Sequence, residues 1–394
     1  MTTDRIAAIQ DALRGEGLDG WLLYDFRRSN PLAYRILGLS SEGHITRRWL
    51  YWIPRDGEPT RIVSALESGR LDSLPGRKAI FRSWRALHGI LAEMLPPGGR
   101  VAMEYSPAAA IPVVARVDAG TVEMIRALGV DVASSADLVQ MFEARLSPEQ
   151  WASHQAAAAH LLTARREVAQ HMADALRADT PLTEAGVQAW LAHFLTRHGL
   201  VADHGAIVAV NGHASDPHYE PSASHDTPIR RGDVILIDYW AKVNQPGAVM
   251  ADYTWVFYAG EQVPKLAARI FAVAAEARDT AIALVRQRVT AGQALHGYEV
   301  DDAARGVITA AGYGDYFVHR TGHSIGEDTH GNGANIDNLE TQDQRRLIPR
   351  TLFSIEPGIY LPDVGVRTEV NVYLGDDATV IVTGDPQPAI EPLL

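Results

Sequence analysis

Two pairs of acidic residues within strongly apolar segments constrain the fold of this chain more than any other feature. Asp238 ends the apolar run Val-Ile-Leu-Ile, and Glu356 follows Leu-Phe-Ser-Ile. Asp252 and Glu369 lie in the apolar segments that come next along the chain. A buried carboxylate is costly unless it is paired or binds a metal ion. Any fold that buries these segments must therefore give each acid a partner.

The acids lie in two predicted hairpins of similar plan, with one acid on each strand. The strands are DVILIDYW with ADYTWVFYAG, and TLFSIEPGIYLP with GVRTEVNVYLG. Because side chains alternate along a strand, Arg367, Glu369 and Asn371 are expected on one face and Val370 and Val372 on the other. An arginine beside a carboxylate provides the support that a metal ligand needs. The pattern predicts a catalytic domain built from two similar halves.

Histidines supply a second signal. The glycine-rich segment FVHRTGHSIGEDTHGNG contains His319, His323 and His330. Its glycines allow tight turns and close backbone approach. A lone histidine is more often structural, but three in one such loop favour a functional site. His218, in the sequence Asp-Pro-His-Tyr, is a fourth candidate.

The residue types indicate which ions such a site would bind. Four carboxylates and one imidazole suit Mn²⁺, the expected ion, or Zn²⁺ or Co²⁺ as alternatives. The chain contains no cysteine, which excludes thiolate ligands, disulfides and a cysteine nucleophile. Four formal negative charges balance two divalent ions. Two such ions, roughly 3.5–4 Å apart, share a hydroxide and polarise a substrate carbonyl in hydrolases of this type.

The length of 394 residues predicts two domains. Residues 1–146 alternate helix-like and strand-like segments, which predicts a smaller α/β domain. Ser147 is expected to cap a long helix that starts at Pro148. The second domain is therefore expected to cover residues 147–394, where long helices alternate with the two hairpins.

Composition excludes other classes of protein. The formal net charge of −12 argues against a nucleic-acid partner, because phosphate binding needs a basic surface. No apolar stretch approaches the ~18 residues of a membrane span, so no membrane partner is expected. The first residues, MTTDRIAAIQDALRGEG, lack the apolar region of a secretory signal, which predicts a cytoplasmic protein.

These residues resemble the "pita-bread" metallopeptidases, a family that includes methionine aminopeptidase, Xaa-Pro aminopeptidase and Xaa-Pro dipeptidase (prolidase). The matching segments are ILIDYW, ADYTWVF, HRTGHSIGEDTH, FSIEPGIY and GVRTEV. The resemblance implies an α/β (α+β) pita-bread catalytic domain preceded by a smaller creatinase-like domain. It favours the proline-directed members, which have such an N-terminal domain and commonly form homodimers. The implied substrates are proline-containing dipeptides or short peptides.

The resemblance also implies a role for each candidate residue. Asp238 and Asp252 would bind the first metal ion, with Asp252 bridging. His323 and Glu356 would complete the shell of the second ion, and Glu369 would bridge. Glu356 would also accept the proton of the attacking water.

The remaining candidates would act on the substrate. His218 resembles the histidine that contacts the substrate near the scissile bond, and His330 would stabilise the carbonyl or the tetrahedral intermediate. His319 resembles the additional histidine of the proline-directed members, and Arg367 would orient the carboxylates. Gln342 stands where prolidases often have an arginine that binds the dipeptide carboxylate, with Arg345 and Arg346 nearby in sequence.

The leading hypothesis is therefore a dinuclear Xaa-Pro dipeptidase. An Xaa-Pro aminopeptidase that acts on longer peptides is the alternative. A creatinase-like hydrolase, which needs no metal, and a non-catalytic peptide-binding module are less favoured, because such relatives have lost ligands and this chain retains all five.

Overall fold

The structure is a computed structural model that describes residues 2–40, 42–222, 224 and 226–394. The chain divides into two compact units, Met1–Glu143 and Ala144–Leu394. Domain boundaries between residues 146 and 147 stay a prediction, because compactness does not show that either part folds alone. In the described part of the chain, no helix combines the length and the apolarity needed to cross a bilayer.

The first unit is a mixed sheet with helices on both faces. Its helices are α1 (Thr3–Gly15), α2 (Pro31–Leu37), α3 (Trp84–Met94), α4 (Ala119–Arg126) and α5 (Ala136–Val139). Its strands are β1 (Gly20–Asp25), β2 (Trp49–Pro54), β3 (Thr60–Ser64), β4 (Arg77–Phe81), β5 (Arg100–Met103) and β6 (Asp131–Ser134). The strand order is β4-β3-β2-β1-β5-β6. Trp21 and Leu23 of β1 pack into one core, and Leu22 and Tyr24 pack into another.

The second unit combines long helices with strand pairs. Its helices are α6 (Pro148–Arg177), α7 (Glu184–Arg197), α8 (Lys265–Thr290) and α9 (Gly297–Ala310). The strands up to the first hairpin are β7 (Leu200–Val201), β8 (Ile207–Val210), β9 (Val234–Val243) and β10 (Ala251–Tyr258). The later strands are β11 (Ser324–Ile325), β12 (Leu352–Ile355), β13 (Gly358–Leu361), β14 (Val364–Arg367), β15 (Val370–Leu374), β16 (Val380–Thr383) and β17 (Glu391–Pro392).

Strand β9 is buried on both faces, as its continuous apolar run predicts. Ile235 and Ile237 pack in the same core as the apolar faces of α6 and α7. Val234 and Leu236 pack in the core that contains α8 and α9. Ser147 begins α6 with a capping box, in which its side chain accepts from the backbone of Gln150 and the Gln150 side chain accepts in return.

The first predicted hairpin is an antiparallel pair of continuous strands, β9 and β10. The second is interrupted, because β12 pairs with β15 and β13 pairs with β14. Glu356 and Glu369 lie in the two gaps between these strands. The prediction that each strand carries one acid is therefore correct for the first hairpin and wrong for the second. Pro357 has no backbone N–H and cannot donate to a strand ladder, which accounts for the first gap.

Candidate metal centre

The register of the first hairpin sets the positions of its two acids. Asp238 lies opposite Thr254, and Asp252 lies opposite Trp240 on the neighbouring strand. The two aspartates are therefore diagonal neighbours on one face of the strand pair. Both side chains are buried.

Asn371 joins the second hairpin to the first at this point. Its side-chain amide donates to the carbonyl of Asp252 at 2.7 Å and accepts from the backbone N–H of Asp252 at 3.0 Å. Glu369 lies two residues earlier, on the same face, and accepts a hydrogen bond from the hydroxyl of Thr254 at 2.9 Å. The predicted alternation of Arg367, Glu369 and Asn371 is thus present in the side-chain contacts.

His323 approaches these acids from the glycine-rich segment. Its backbone pairs with Ser354 in both directions, through the Ser354 hydroxyl at 2.9 Å and the Ser354 N–H at 2.8 Å. A side chain at Gly322 would place its Cβ 2.0 Å from the carbonyl oxygen of Ser354, so this close approach requires glycine.

The imidazole of His323 faces the carboxylates with one nitrogen. Nδ1 lies 3.1 Å from the carbonyl oxygen of Ser324, to which it can only donate. That bond assigns the lone pair to Nε2, which lies 3.3 Å from Glu356 Oε1 and 3.6 Å from Asp252 Oδ2. This is the tautomer of a metal-binding histidine, in which one ring nitrogen donates to a carbonyl and the other keeps its lone pair for the ion.

The residues fit a divalent ion. Ligand atoms of Asp252, His323 and Glu369 all lie within 4.8 Å of one another. Among the described residues, Asp238 Oδ1, Asp252 Oδ1 and Glu369 Oε1 are buried and have no hydrogen-bond partner. Leaving a buried polar atom unsatisfied is costly, and a cation shared by these oxygens removes that cost.

The electrostatics of the cluster point the same way. Burial and then the Asp238 and Glu356 carboxylates raise the pKa of Asp252 well above its ordinary value. Burial and then Asp252 raise the pKa of Glu369 well above its ordinary value. Like charges packed this closely favour protonation unless a cation compensates them. The donor set is therefore suited to strong positive charge.

Arg367 provides part of that positive charge from within the chain. Its guanidinium donates to Asp238 Oδ2 at 2.6 Å, to the Thr254 hydroxyl at 3.1 Å and to the Tyr360 hydroxyl at 2.9 Å. All three of its nitrogens are engaged, which fixes the arginine in place beside Asp238.

The other predicted histidines lie in different surroundings. Nδ1 of His319 lies 2.6 Å from the carbonyl oxygen of Arg320, and its Nε2 lies 2.6 Å from the Tyr360 hydroxyl. Both ring nitrogens are thus bonded within the protein. His330 stacks edge-on against His323 with ring centres 4.4 Å apart. His218 is exposed, and its backbone N–H donates to Asp216.

These side chains line one cavity of about 630 Å³. Predicted residues that line it are His218, Asp238, Asp252, His319, His323, His330, Glu356 and Arg367. In the part of the chain that the structure describes, Glu369 does not line the cavity. Lining residues that sequence reasoning missed include Asp203, Trp240, Val318, Arg320 and Glu340. Arg320 directly follows the predicted site residue His319, so its position in the sequence could have identified it. Asp203 is not next to any predicted site residue, and the sequence therefore contains no indication of it.

Arg345, one of the two arginines close to Gln342 in sequence, is engaged elsewhere. Arg345 is buried and donates to Asp343 at 2.6 Å and 2.9 Å and to the carbonyl of Asn332 at 2.8 Å. Gln342 accepts a hydrogen bond from Gln344. In the part of the chain that the structure describes, neither Gln342 nor Arg345 lines the cavity.

Known proteins share this sequence pattern and fold. The chain is similar to the "Probable dipeptidase PepE" of Mycobacterium bovis, with 34% identity over 209 residues, or 53% of this chain and 52% of that protein. The chain thus matches about half the length of such curated relatives. Dipeptidase PepE from Mycobacterium ulcerans has a TM-score of 0.71 at 24% identity, covering 99% of this chain and 97% of that chain.

A prolidase from Thermococcus sibiricus has a TM-score of 0.65 at 22% identity, covering 100% of this chain and 99% of that chain. These likenesses confirm the predicted pita-bread fold. The family model of metallopeptidase family M24 matches residues 152–376, a span that contains all five predicted ligands. Because that match covers more than half of the sequence, the chain belongs to metallopeptidase family M24.

Proposed function

We propose that this metallopeptidase is a dinuclear Xaa-Pro dipeptidase, which cleaves the bond between an N-terminal residue and proline. The observation that carries the proposal is the convergence of Asp252, His323 and Glu369 beside buried carboxylate oxygens without hydrogen-bond partners. The names of its relatives, which are a dipeptidase and a prolidase, support the substrate class.

The five predicted ligands divide between the two hairpins and the histidine segment. Two ions would be held by Asp238 and Asp252 of the first hairpin, His323 of the histidine segment, and Glu356 and Glu369 of the second hairpin. When bound, the ions supply a Lewis acid for the substrate carbonyl and lower the pKa of water. Manganese is the ion we expect, and the assembly we expect is a cytoplasmic homodimer.

Glu356 is suited to accept the proton of the attacking water. Burial acts to raise its pKa, but the imidazoles of His323 and His319 and the charge of Arg367 outweigh burial and lower it. The carboxylate is therefore ionised at neutral pH and available as a base. The Ser354 hydroxyl donates to its Oε1 at 3.0 Å and orients it.

Histidines on the cavity wall would stabilise the developing oxyanion. The proximity of His323, followed by burial, lowers the pKa of His330 to about 4, so its ring is a neutral donor at neutral pH. We assign His330 and His218 to the substrate carbonyl and the tetrahedral intermediate. His319 would act through Tyr360, because the Tyr360 hydroxyl contacts both His319 and Arg367.

Relative rates on three peptides test the proposal. The purified chain, supplied with Mn²⁺, should hydrolyse Ala-Pro faster than Ala-Ala and faster than Ala-Pro-Ala. A higher rate on Ala-Pro-Ala would favour the Xaa-Pro aminopeptidase alternative. Failure to hydrolyse any of the three, together with no bound Mn, Co or Zn, would contradict the proposed function.

A further inference from the structure

A buried glutamate of the second unit lies outside the cavity and yet binds the segment that carries His218. Glu184, the first residue of α7, is completely buried. In the described part of the chain, it does not line the cavity. Burying a carboxylate is costly unless its oxygens are paired, so the groups that pair with it indicate what it holds in place.

Among the described residues, the donors to the Glu184 side chain all belong to the segment 210–219. Its Oε1 accepts from the backbone N–H of Val210 at 2.7 Å. Nδ1 of His213 lies 3.0 Å from Oε1 and 3.2 Å from Oε2. The Tyr219 hydroxyl donates to Oε2 at 2.6 Å, the length of a hydrogen bond to a charged acceptor. One carboxylate therefore fixes both ends of the segment.

The middle of the same segment is fixed to the strands β13 and β14. The Ser215 hydroxyl donates to the carbonyl of Leu361. A side chain at Gly365 would place its Cβ 2.0 Å from the carbonyl oxygen of Ala214, so the close approach requires glycine. Strand β14 ends at Arg367, and the segment is therefore fixed to the strand that supplies this arginine to the site.

His218 lies in a turn that Tyr219 closes. The backbone N–H of His218 donates to Asp216 Oδ1 at 3.0 Å, and the backbone N–H of Tyr219 donates to the Asp216 carbonyl at 3.1 Å. The Tyr219 ring stacks on His213 with ring centres 4.6 Å apart. His218 itself is exposed and lines the cavity, so its position depends on the residues at either end of the turn.

We propose that Glu184 is a positioning residue, which acts through the Tyr219 hydroxyl to hold the imidazole of His218 at the substrate carbonyl. This inference rests on the proposed function, in which His218 acts on the tetrahedral intermediate. A displacement of a catalytic group by about 1 Å costs on the order of 100-fold in rate. Because the intermediate forms after the substrate is bound, the loss belongs to kcat and not to KM.

Tyr219→Phe removes only the hydroxyl and keeps the ring that stacks on His213. In the protein loaded with Mn²⁺, it should lower kcat for Ala-Pro roughly 10-fold and change KM by less than about threefold. Metal content should not change, because no predicted ligand is altered. Tyr258→Phe is the matched control with unchanged kinetics, since Tyr258 is also half-buried and lies outside the cavity lining.

A double-mutant cycle shows whether Tyr219 acts through His218. In the His218→Ala background the histidine is absent, so Tyr219→Phe should lower kcat by less than about twofold. A purely structural role of the hydroxyl would instead lower kcat by the same factor in both backgrounds. Wild-type kcat in Tyr219→Phe, or equal factors in the two backgrounds, would show that the positioning assignment is wrong although the peptidase proposal stands.

Glu184→Gln tests the carboxylate itself. An amide has one acceptor oxygen in place of two, so kcat should fall at least as far as in Tyr219→Phe and should be equally insensitive to the substitution in the His218→Ala background. A loss in Tyr219→Phe without one in Glu184→Gln would overturn the role of Glu184. If the wild-type protein does not cleave Ala-Pro, the proposed function fails, and this inference fails with it.

Discussion

At the scale of single residues, Thr254 and Arg367 connect the acids of the two hairpins. The Thr254 hydroxyl accepts from Arg367 and donates to Glu369 Oε2, while Arg367 also donates to Asp238. Alternation along the strand predicts that Arg367 and Glu369 share a face. It does not predict Thr254, whose importance depends on pairing between strands that are distant in sequence.

Glu356 carries the sharpest prediction at this scale. Glu356→Gln keeps the shape of the side chain but removes the carboxylate that we propose as the base for the attacking water. We expect kcat/KM for Ala-Pro to fall by roughly 10²- to 10⁴-fold, the usual contribution of general base catalysis. Steady-state kinetics, together with thermal unfolding and metal content, measure the effect.

The matched control for that substitution is Glu276→Gln, at an exposed position on α8. It should behave like the wild-type protein in all three measurements. Near-normal turnover by Glu356→Gln at full metal content would remove Glu356 from its assigned role.

At the scale of elements, the sequence predicts which segments form strands better than where those strands break. Alternating and continuous apolar runs identify β9, β10, β12 and β15, because burial of apolar side chains dominates their stability. At the second gap, Thr368 has a distant contact, because the buried Arg278 of α8 donates to the Thr368 hydroxyl at 2.7 Å. Such contacts leave no local pattern, whereas Pro357 is a local signal for the first gap that the predicted hairpin did not take into account.

Helix α9 holds the segment 317–321 through a partly buried ion pair. Arg305 donates to the carbonyls of Phe317 at 2.9 Å and His319 at 2.8 Å and pairs with Asp301. Asp301 in turn accepts from the backbone N–H and the hydroxyl of Thr321. The pair therefore positions His319 and Arg320 at the cavity.

We expect Arg305→Lys to fold but to lower kcat/KM for Ala-Pro roughly 10- to 100-fold, because an ammonium keeps the pair with Asp301 but does not reach both carbonyls in the same geometry. The loss should be accompanied by a small change in unfolding temperature. Arg286→Lys on α8 is the control with unchanged rates. Wild-type kinetics in Arg305→Lys would show that the segment is positioned by its other contacts.

Helix α6 contains a histidine that should make stability depend on pH. Burial lowers the pKa of His154 from 6.5 to about 4, although its Nδ1 lies 2.7 Å from the carbonyl oxygen of Met250. Its Nε2 lies 2.8 Å from the Thr383 hydroxyl. Below pH 6.5 the unfolded chain binds a proton that the folded chain does not, so this contribution is lost as pH falls towards 4.

The pH dependence is measured by denaturant unfolding of the wild-type protein and His154→Gln at pH 7 and pH 5. Between these values the wild-type protein should lose about 2 kcal/mol more than the variant. The change in unfolding free energy between pH 7 and pH 5 is compared for the two proteins, so a loss of stability that the substitution causes equally at both pH values cancels. Equal losses in both proteins would mean that His154 takes up its proton in the folded state as readily as in the unfolded chain.

At the scale of the whole molecule, the site concentrates negative charge in a chain that is already acidic. The formal net charge is −12, and Asp238, Asp252, Glu356 and Glu369 meet in one buried cluster. Their mutual repulsion opposes folding unless cations bind or some of the acids take up protons. Metal binding should therefore stabilise the catalytic unit as well as activate it.

Metal removal tests this coupling through thermal unfolding. Mn²⁺ at about 1,000 times its Kd stabilises the folded state by about 4 kcal/mol, and a unit of this size shifts by about 2–4 °C per kcal/mol. We expect a chelator to lower the Tm of the catalytic unit by roughly 8–16 °C.

Asp252→Asn should lose this response to Mn²⁺ yet match or exceed the wild-type Tm in chelator, because it removes one of the repelling carboxylates. Asp315→Asn, at an exposed position, is the control that keeps the response. A purely structural Asp252 would instead make the variant less stable in chelator, and that result would separate charge repulsion from packing as the reason for the metal dependence.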